Sequence, residues 1–171
     1  HNISATRRDD KHNISATHAY VHAHTRTSAQ CANVMYRLTH NQLQKLKTKV
    51  FWLLIGTNDF SALQCSSDAV TAGNIAIVQQ LQKLRPKARV VINSILPRDS
   101  AYMDLIRQTN KRLNCYAQQT ENVDYFDATS IFYDDAKEEL QHLPDELHPD
   151  AEGARAWGKQ IVQRVEEILK E

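Results

Sequence analysis

Asp145 and His148 stand three residues apart near the end of the chain, on a segment flanked by Pro144 and Pro149. The prolines restrict the backbone, so this short loop can aim the carboxylate at the imidazole. A carboxylate in that place fixes the tautomer of the ring and stabilises the imidazolium that forms when the ring takes a proton. The two residues therefore predict two thirds of a hydrolytic triad, which leaves a nucleophile to be found.

A second candidate group, the sequence GTND at residues 56–59, follows the apolar run 50–55. Gly56 lets the backbone turn sharply after a buried strand, and Asn58 can aim its side-chain amide into a pocket. Such a donor stabilises an oxyanion, an effect worth roughly 3 kcal/mol in acyl transfer. An Asx turn is the alternative interpretation of this group. For Asp145 and His148 the alternative is a surface loop that leads into a capped helix.

The apolar pattern predicts alternating strands and helices from residue 28 onward. Because continuous apolar runs are typical of strands buried on both faces, we predict strands at 50–55, 89–96 and 123–126. Helices are predicted at 28–47 with Ser28 as the cap, from 67 to about 84, at 101–119, and after Asp150. The last helix should bury five residues, Ala154, Trp157, Ile161, Val165 and Ile168.

This alternation predicts parallel βαβ units in a three-layer α/β/α domain. In such a sheet, functional residues gather at the carboxyl ends of the strands. The segments that should lie near that edge are 56–59, Pro97-Arg98, Asp127 and the loop of Asp145 and His148.

Together, the two candidate groups resemble the SGNH/GDSL hydrolase superfamily. The resemblance rests on GTND at 56–59 after an apolar strand and on DELHPDAEG at 145–153 before the last helix. The segments VMYRL at 34–38, 50–59 and ILPR at 95–98 are most similar to the catalytic subunits of the intracellular platelet-activating-factor acetylhydrolase branch. The resemblance covers residues 28 to 171.

The resemblance implies a flavodoxin-like domain that hydrolyses small-molecule or lipid esters without a cofactor or a metal. Carried over to this sequence, Asn58 is the oxyanion-hole amide, His148 the general base and Asp145 its orienting acid. The family's second oxyanion donor, a backbone N–H, falls near Ser28, where the family usually has a glycine. The Cβ of Ser28 enters space that a glycine leaves open.

The chain departs from the family at the nucleophile. The family's serine belongs to a Gly-Asp-Ser motif on its first strand, but no glycine precedes Gly56. Ser4, Ser15 and Ser28 are the early serines, and none of them is assigned. Three interpretations stay open: a chain without the first strand and its serine, a degenerate SGNH fold kept as a binding or structural subunit, and a water activated by His148.

Residues 1–27 differ from the rest, and we predict an irregular polar segment there and the hydrolase-like domain at 28–171. They contain five of the eight histidines and the repeat HNISAT at 1–6 and 12–17. His18, His22 and His24 lack acidic or Cys partners beside them, which favours solvated histidines over a metal site.

The repeat places glycosylation acceptor patterns at Asn2 and Asn13, a hint of export. The start at His1 indicates a processed or trimmed product.

The composition excludes several classes of function. The chain has 171 residues, 42% hydrophobic and 24% charged, which predicts one soluble domain. A net charge of +1 gives no argument for nucleic acid, and no apolar run approaches the length of a membrane span. Three cysteines are too few for a disulfide framework or a zinc site. No glycine-rich phosphate loop supports a nucleotide-binding module. A dimer or a place in a larger complex is compatible with the sequence.

Overall fold

The computed structural model describes residues 30–40 and 47–171. Several predictions therefore lie outside the described residues: the boundary between residues 27 and 28, Ser28, the other early serines, the histidines before residue 30, and the patterns at Asn2 and Asn13. The boundary remains a prediction.

Helices and strands alternate along the described part of the chain. The elements in chain order are α1 (Cys31–Thr39), β1 (Val50–Leu53), α2 (Thr57–Leu63), α3 (Ser67–Leu84), β2 (Arg89–Asn93), α4 (Met103–Gln118), β3 (Val123–Phe126), α5 (Thr129–Phe132), β4 (Tyr133–Asp134), β5 (Glu139–Leu140) and α6 (Ala151–Ile168). A short 3-10 turn, Ser100–Tyr102, leads into α4.

Strands β1, β2 and β3 form a parallel sheet in that order. The register pairs Val50 with Arg89 and Val90 with Val123. The short strands β4 and β5 pair antiparallel in a separate hairpin. The prediction of a parallel α/β sheet is therefore confirmed.

Helices cover both faces of this sheet, because successive side chains of a strand point to opposite faces. On one face Phe51 and Val90 pack with residues of α1, α3 and α4. On the other face Trp52 and Val91 pack against Val165 and its neighbours on α6. The layers are helix, sheet and helix, as the sequence predicted.

The first helix is shorter than predicted. It begins at Cys31 with Gln30 as its N-cap, rather than after Ser28, and it ends at Thr39 rather than near residue 47. Polar side chains take its last carbonyl groups: the Thr39 hydroxyl donates to Met35 and Tyr36, and His40 Nδ1 contacts the Tyr36 carbonyl at 2.8 Å. These local bonds compete with continuation of the helix.

Two strand boundaries and one buried position also differ from the predictions. The strand predicted at 50–55 ends at Leu53, and the strand predicted at 89–96 ends at Asn93. Apolar residues continue beyond both ends because they pack in the core after the pairing has stopped. On α6, Ala154 is exposed and Gly153 is buried instead. The backbone of this helix approaches the preceding loop at Gly153, so the contact needs no side chain.

Candidate active site

The GTND group forms the first turn of α2, directly beyond the end of β1. Gly56 has a φ of 125°, and a Cβ there would lie 2.7 Å from side-chain carbons of Ile95 and Val70. Only glycine fits both this conformation and this space. The next two residues open the helix, and Asn58 is half-buried in its first turn. The sharp turn after a buried strand is therefore as predicted, although it continues into a helix that the sequence pattern did not predict.

Asp145 and His148 meet in the loop before α6. Asp145 Oδ2 lies 2.8 Å from His148 Nδ1, while Asp145 Oδ1 accepts the backbone N–H groups of His148 at 2.7 Å and Leu147 at 3.1 Å. The backbone N–H and the ring of His148, together with the Leu147 N–H, hold the pKa of Asp145 at about 2. The carboxylate is therefore ionised under ordinary conditions.

An ionised carboxylate can only accept a hydrogen bond, and this settles the tautomer of the neutral ring. His148 must donate its Nδ1–H to Asp145, so Nε2 keeps its lone pair. The His148 side chain is 75% exposed and that of Asp145 56%. The arrangement can act as a base towards a group that approaches from solvent, and it can hold the imidazolium that results.

A second histidine and aspartate lie at the base of the same loop. His142 Nδ1 is 3.4 Å from Asp150 Oδ2, and the Asp150 N–H donates to the His142 carbonyl at 2.9 Å. Asp150 also caps α6 by accepting the N–H groups of Glu152 and Gly153. The Gly153 N–H and the His142 ring both lower the pKa of Asp150. The sequence analysis did not identify this pair.

The loop is anchored to the carboxyl edge of the sheet. Leu143 is buried in a cluster with Ala128, which follows β3, and Leu96, which follows β2, packs against the same cluster. Arg98 Nη1 contacts the Thr57 carbonyl at 3.3 Å, which ties the segment after β2 to the start of α2. These contacts connect three groups along this edge: the GTND group through Thr57, the segment after β2 through Leu96 and Arg98, and the start of the His148 loop through Leu143.

Asp59 is a buried site neighbour that the sequence analysis missed. Its carboxylate accepts the Cys31 N–H at 3.1 and 3.2 Å, at the N-terminus of α1. Burial raises the pKa of Asp59, although the Cys31 N–H opposes this shift. An acid directly after a candidate oxyanion residue is the signal that could have indicated it.

Cys31 is not a substitute for the missing serine. Its side chain is buried, and burial raises the pKa of its thiol, an effect that the neighbouring Asp59 carboxylate increases. The nucleophilic form of cysteine is the thiolate, which such an environment disfavours. The nucleophile remains unassigned, and the early serines lie outside the described residues.

A cavity of about 320 Å³ lies between α4 and the segment that follows β3. Pro97, Met103 and Ile106 provide apolar surface, and charges of both signs come from Arg107, Lys111, Asp127 and Asp135. Pro97 and Asp127 in its wall belong to the carboxyl edge, but neither Asn58 nor His148 is among the lining residues. The cavity therefore lies beside the predicted catalytic group rather than at it.

Residues 30–40 and 47–171 contain neither a candidate metal site nor a candidate membrane span. This part of the chain has no cluster of three or more His, Cys, Asp or Glu side chains that could hold a metal ion. It also has no helix with the length and apolar character that a membrane span requires.

Comparison with known sequences places this geometry in context. The profile of the GDSL-like Lipase/Acylhydrolase family matches residues 4–156. Platelet-activating factor acetylhydrolase IB subunit alpha1 of Rattus norvegicus is 35% identical over 82 residues, which are 48% of this chain and 34% of that protein. Subunit alpha2 of Bos taurus is 26% identical over 144 residues, or 81% of this chain and 61% of that protein. The matches thus span about a third and about three fifths of these relatives.

Solved structures share the fold. A GDSL-like lipase from Bacteroides thetaiotaomicron superimposes with a TM-score of 0.68 over 82% of this chain and 73% of that chain. The two sequences are only 18% identical, so this likeness concerns the fold alone. It agrees with the parallel sheet and the helical layers described above.

Proposed function

This chain belongs to the GDSL-like lipase/acylhydrolase family, and we propose that it hydrolyses carboxylic esters with His148 as general base and Asp145 as its orienting acid. The observation that carries the proposal is the 2.8 Å contact between Asp145 Oδ2 and His148 Nδ1. With Asp145 ionised, that contact holds the neutral ring with its lone pair on Nε2. A base in this form can accept a proton from a hydroxyl nucleophile.

The proposed reaction has two halves. In the first, Nε2 of His148 takes the proton of the nucleophile while the nucleophile's oxygen bonds to the carbonyl carbon of the ester. The Asn58 amide and the backbone N–H near Ser28 stabilise the oxyanion. The oxyanion then reforms the carbonyl, the bond from its carbon to the leaving oxygen breaks, and the imidazolium protonates that oxygen, which leaves as the alcohol. In the second half, a water molecule repeats these steps on the acyl-enzyme, which releases the acid and restores the nucleophile.

The substrates we propose are small-molecule or lipid esters. The cavity beside the site supports this class, since its volume is near the lower limit of ordinary ligand pockets. Pro97, Met103 and Ile106 offer apolar surface for an acyl or alkyl group, and the charged residues of both signs in the wall suit a polar end. No step of the proposed mechanism uses a cofactor or a metal.

A place in an oligomer or a larger complex is part of the proposal. The relatives from Rattus norvegicus and Bos taurus are both named as subunits of platelet-activating factor acetylhydrolase IB. These matches cover only part of each relative. The assembly and the activity of this chain are therefore proposed here and not inferred from the relatives' names alone.

One observation favours a second candidate function. The chain contains no Gly-Asp-Ser sequence and no glycine before Gly56, although it retains Asp145, His148 and Asn58. A degenerate SGNH fold that serves as a binding or structural subunit would fit this combination.

Covalent labelling separates the two candidates. The full chain is treated with a fluorophosphonate probe and assayed with a short-chain p-nitrophenyl ester, and the labelled residue is located by mass spectrometry. We expect one labelled serine, with labelling and turnover lost in His148→Ala. The control His40→Ala removes an exposed histidine that directly follows α1 and should retain both signals. An intact full chain that neither labels nor turns over ester would favour the structural subunit.

A further inference from the structure

The loop that carries Asp145 and His148 is closed at its base by His142 and Asp150. Two contacts join these residues: the backbone bond from the Asp150 N–H to the His142 carbonyl at 2.9 Å, and the side-chain contact at 3.4 Å. Since Asp150 is held ionised by its helix-cap bonds, the His142 ring donates to it. Both ends of the exposed segment are thereby joined to the first turn of α6.

His142 also packs against the backbone of that turn. A Cβ added to Gly153 would lie 2.5 Å from the His142 Cβ, 3.0 Å from the Phe132 Cε1 and 3.2 Å from the His142 Cγ, and the contact with the His142 Cβ is much the tightest. The absence of a side chain at Gly153 therefore creates the room that His142 occupies. His142 has a φ of 57°, in the left-handed region that His and Asn adopt more readily than most residues.

The bonds of the exposed pair do not by themselves orient it towards the sheet. The three contacts of the Asp145 carboxylate run to Leu147 and His148, so they form only while the loop keeps the shape that brings these residues together. Both side chains are more than half exposed, whereas His142 and Asp150 are 30% and 39% exposed. The position of the pair relative to the sheet therefore depends on the residues that anchor the two ends of the loop.

We propose that His142 is a positioning residue, which sets the orientation of the Asp145–His148 pair through its contacts with Asp150 and Gly153. This inference rests on the proposed function for its catalytic meaning, while the positioning itself is a structural claim. His142 acts through the loop and does not touch the reacting atoms.

Two matched pairs of variants test this role in the full chain. His142→Ala removes the ring and the donor, whereas His142→Asn keeps a donor at the same distance from the backbone and tolerates the left-handed conformation. Gly153→Ala crowds His142 most and the Phe132 ring less, without removing any hydrogen-bonding group. Its control is Gly158→Ala on the same helix, where an added Cβ has no neighbour within 4 Å.

The readouts are amide hydrogen exchange and the ring tautomer of His148, both followed by NMR. We expect the Leu147 and His148 amides to exchange about tenfold faster in His142→Ala and Gly153→Ala, equivalent to about 1.4 kcal/mol of local opening. The neutral His148 ring should lose its preference for Nδ1–H in the same two variants. His142→Asn and Gly158→Ala should stay close to the wild-type chain in both measurements.

Amide protection in β2 reports on the whole fold and should be retained in all four variants. Unchanged exchange and tautomer in His142→Ala and Gly153→Ala would overturn the inference. Equal effects of Gly153→Ala and Gly158→Ala, or a loss of protection that extends into β2, would also overturn it, because His142 would then be an ordinary packing residue. If the variants show these NMR effects but the wild-type chain never labels with the fluorophosphonate probe, the proposed function alone is contradicted.

Discussion

Two histidine–aspartate pairs share one loop, and they differ in exposure, spacing and bonding. The side chains of Asp145 and His148 are 56% and 75% exposed. The two residues are three positions apart, and Asp145 Oδ2 lies 2.8 Å from His148 Nδ1. His142 and Asp150 are half-buried and eight positions apart, and His142 Nδ1 lies 3.4 Å from Asp150 Oδ2. The same chemical groups serve different purposes because of position: the exposed pair presents a lone pair to solvent, while the half-buried pair fastens the chain to α6.

The largest expected difference between the pairs is catalytic. Asp145→Asn should lower ester turnover by about 10⁴-fold, as loss of the orienting carboxylate does in serine hydrolases. Asp150→Ser keeps a helix cap and removes only the contact with His142, so we expect a loss of about tenfold or less, one factor of ten being about 1.4 kcal/mol. Initial rates with a short-chain p-nitrophenyl ester measure both. Equal losses would erase the distinction between the pairs.

Leu143 is the buried residue at the start of the loop that carries both pairs, and its truncation should lower the stability of the protein. Leu143 is 6% exposed and packs with Ala128, Ile131 and Phe132. We expect Leu143→Ala to lower the free energy of unfolding by about 2–4 kcal/mol, since it removes buried methyl groups and leaves a cavity. Urea denaturation measures this. A change below about 0.5 kcal/mol, which is typical of surface substitutions, would show that Leu143 does not anchor the loop.

The smallest expected effect is the acid dependence of the exposed pair. The folded pKa of Asp145 is about 2, below its ordinary value of 3.8. Its contribution to the stability of the folded loop is therefore complete above about pH 4 and is lost as the pH falls towards 2. Exchange of the Leu147 and His148 amides, corrected for intrinsic rates, should accelerate across that range. Asp145→Asn should abolish this acid dependence, and an unchanged dependence in that variant would assign it to another group.

The sequence predicted the parts of the molecule that local patterns determine. Apolar runs such as 50–55 indicated buried strands, and the helical layers followed from the regular alternation. Asp145 and His148 could be paired because they are close in sequence and lie in a short loop. The family resemblance was confirmed by the profile match over residues 4–156. The roles of Asn58 and Ser28 remain proposals.

The parts that escaped prediction depend on contacts between distant residues. His142 meets Asp150 across eight residues, with a left-handed backbone at His142 and room for its side chain at Gly153. Asp59 meets the Cys31 N–H across 28 residues, which no local pattern reports. The length of α1 was overestimated because helical spacing continued beyond the residues that cap it. The profile match begins at residue 4, upstream of the predicted domain boundary, and that boundary remains untested.

The most direct test of the account is the pH dependence of ester turnover by the full chain, measured from about pH 5 to about pH 8, where histidine changes its charge. We expect the rate to rise across this range, because only a neutral imidazole can accept the proton of the nucleophile. The same rise should persist in His142→Asn and be absent from His148→Ala. A rate that stays flat across this range, or no turnover at any pH, would contradict the assignment of His148 as the general base.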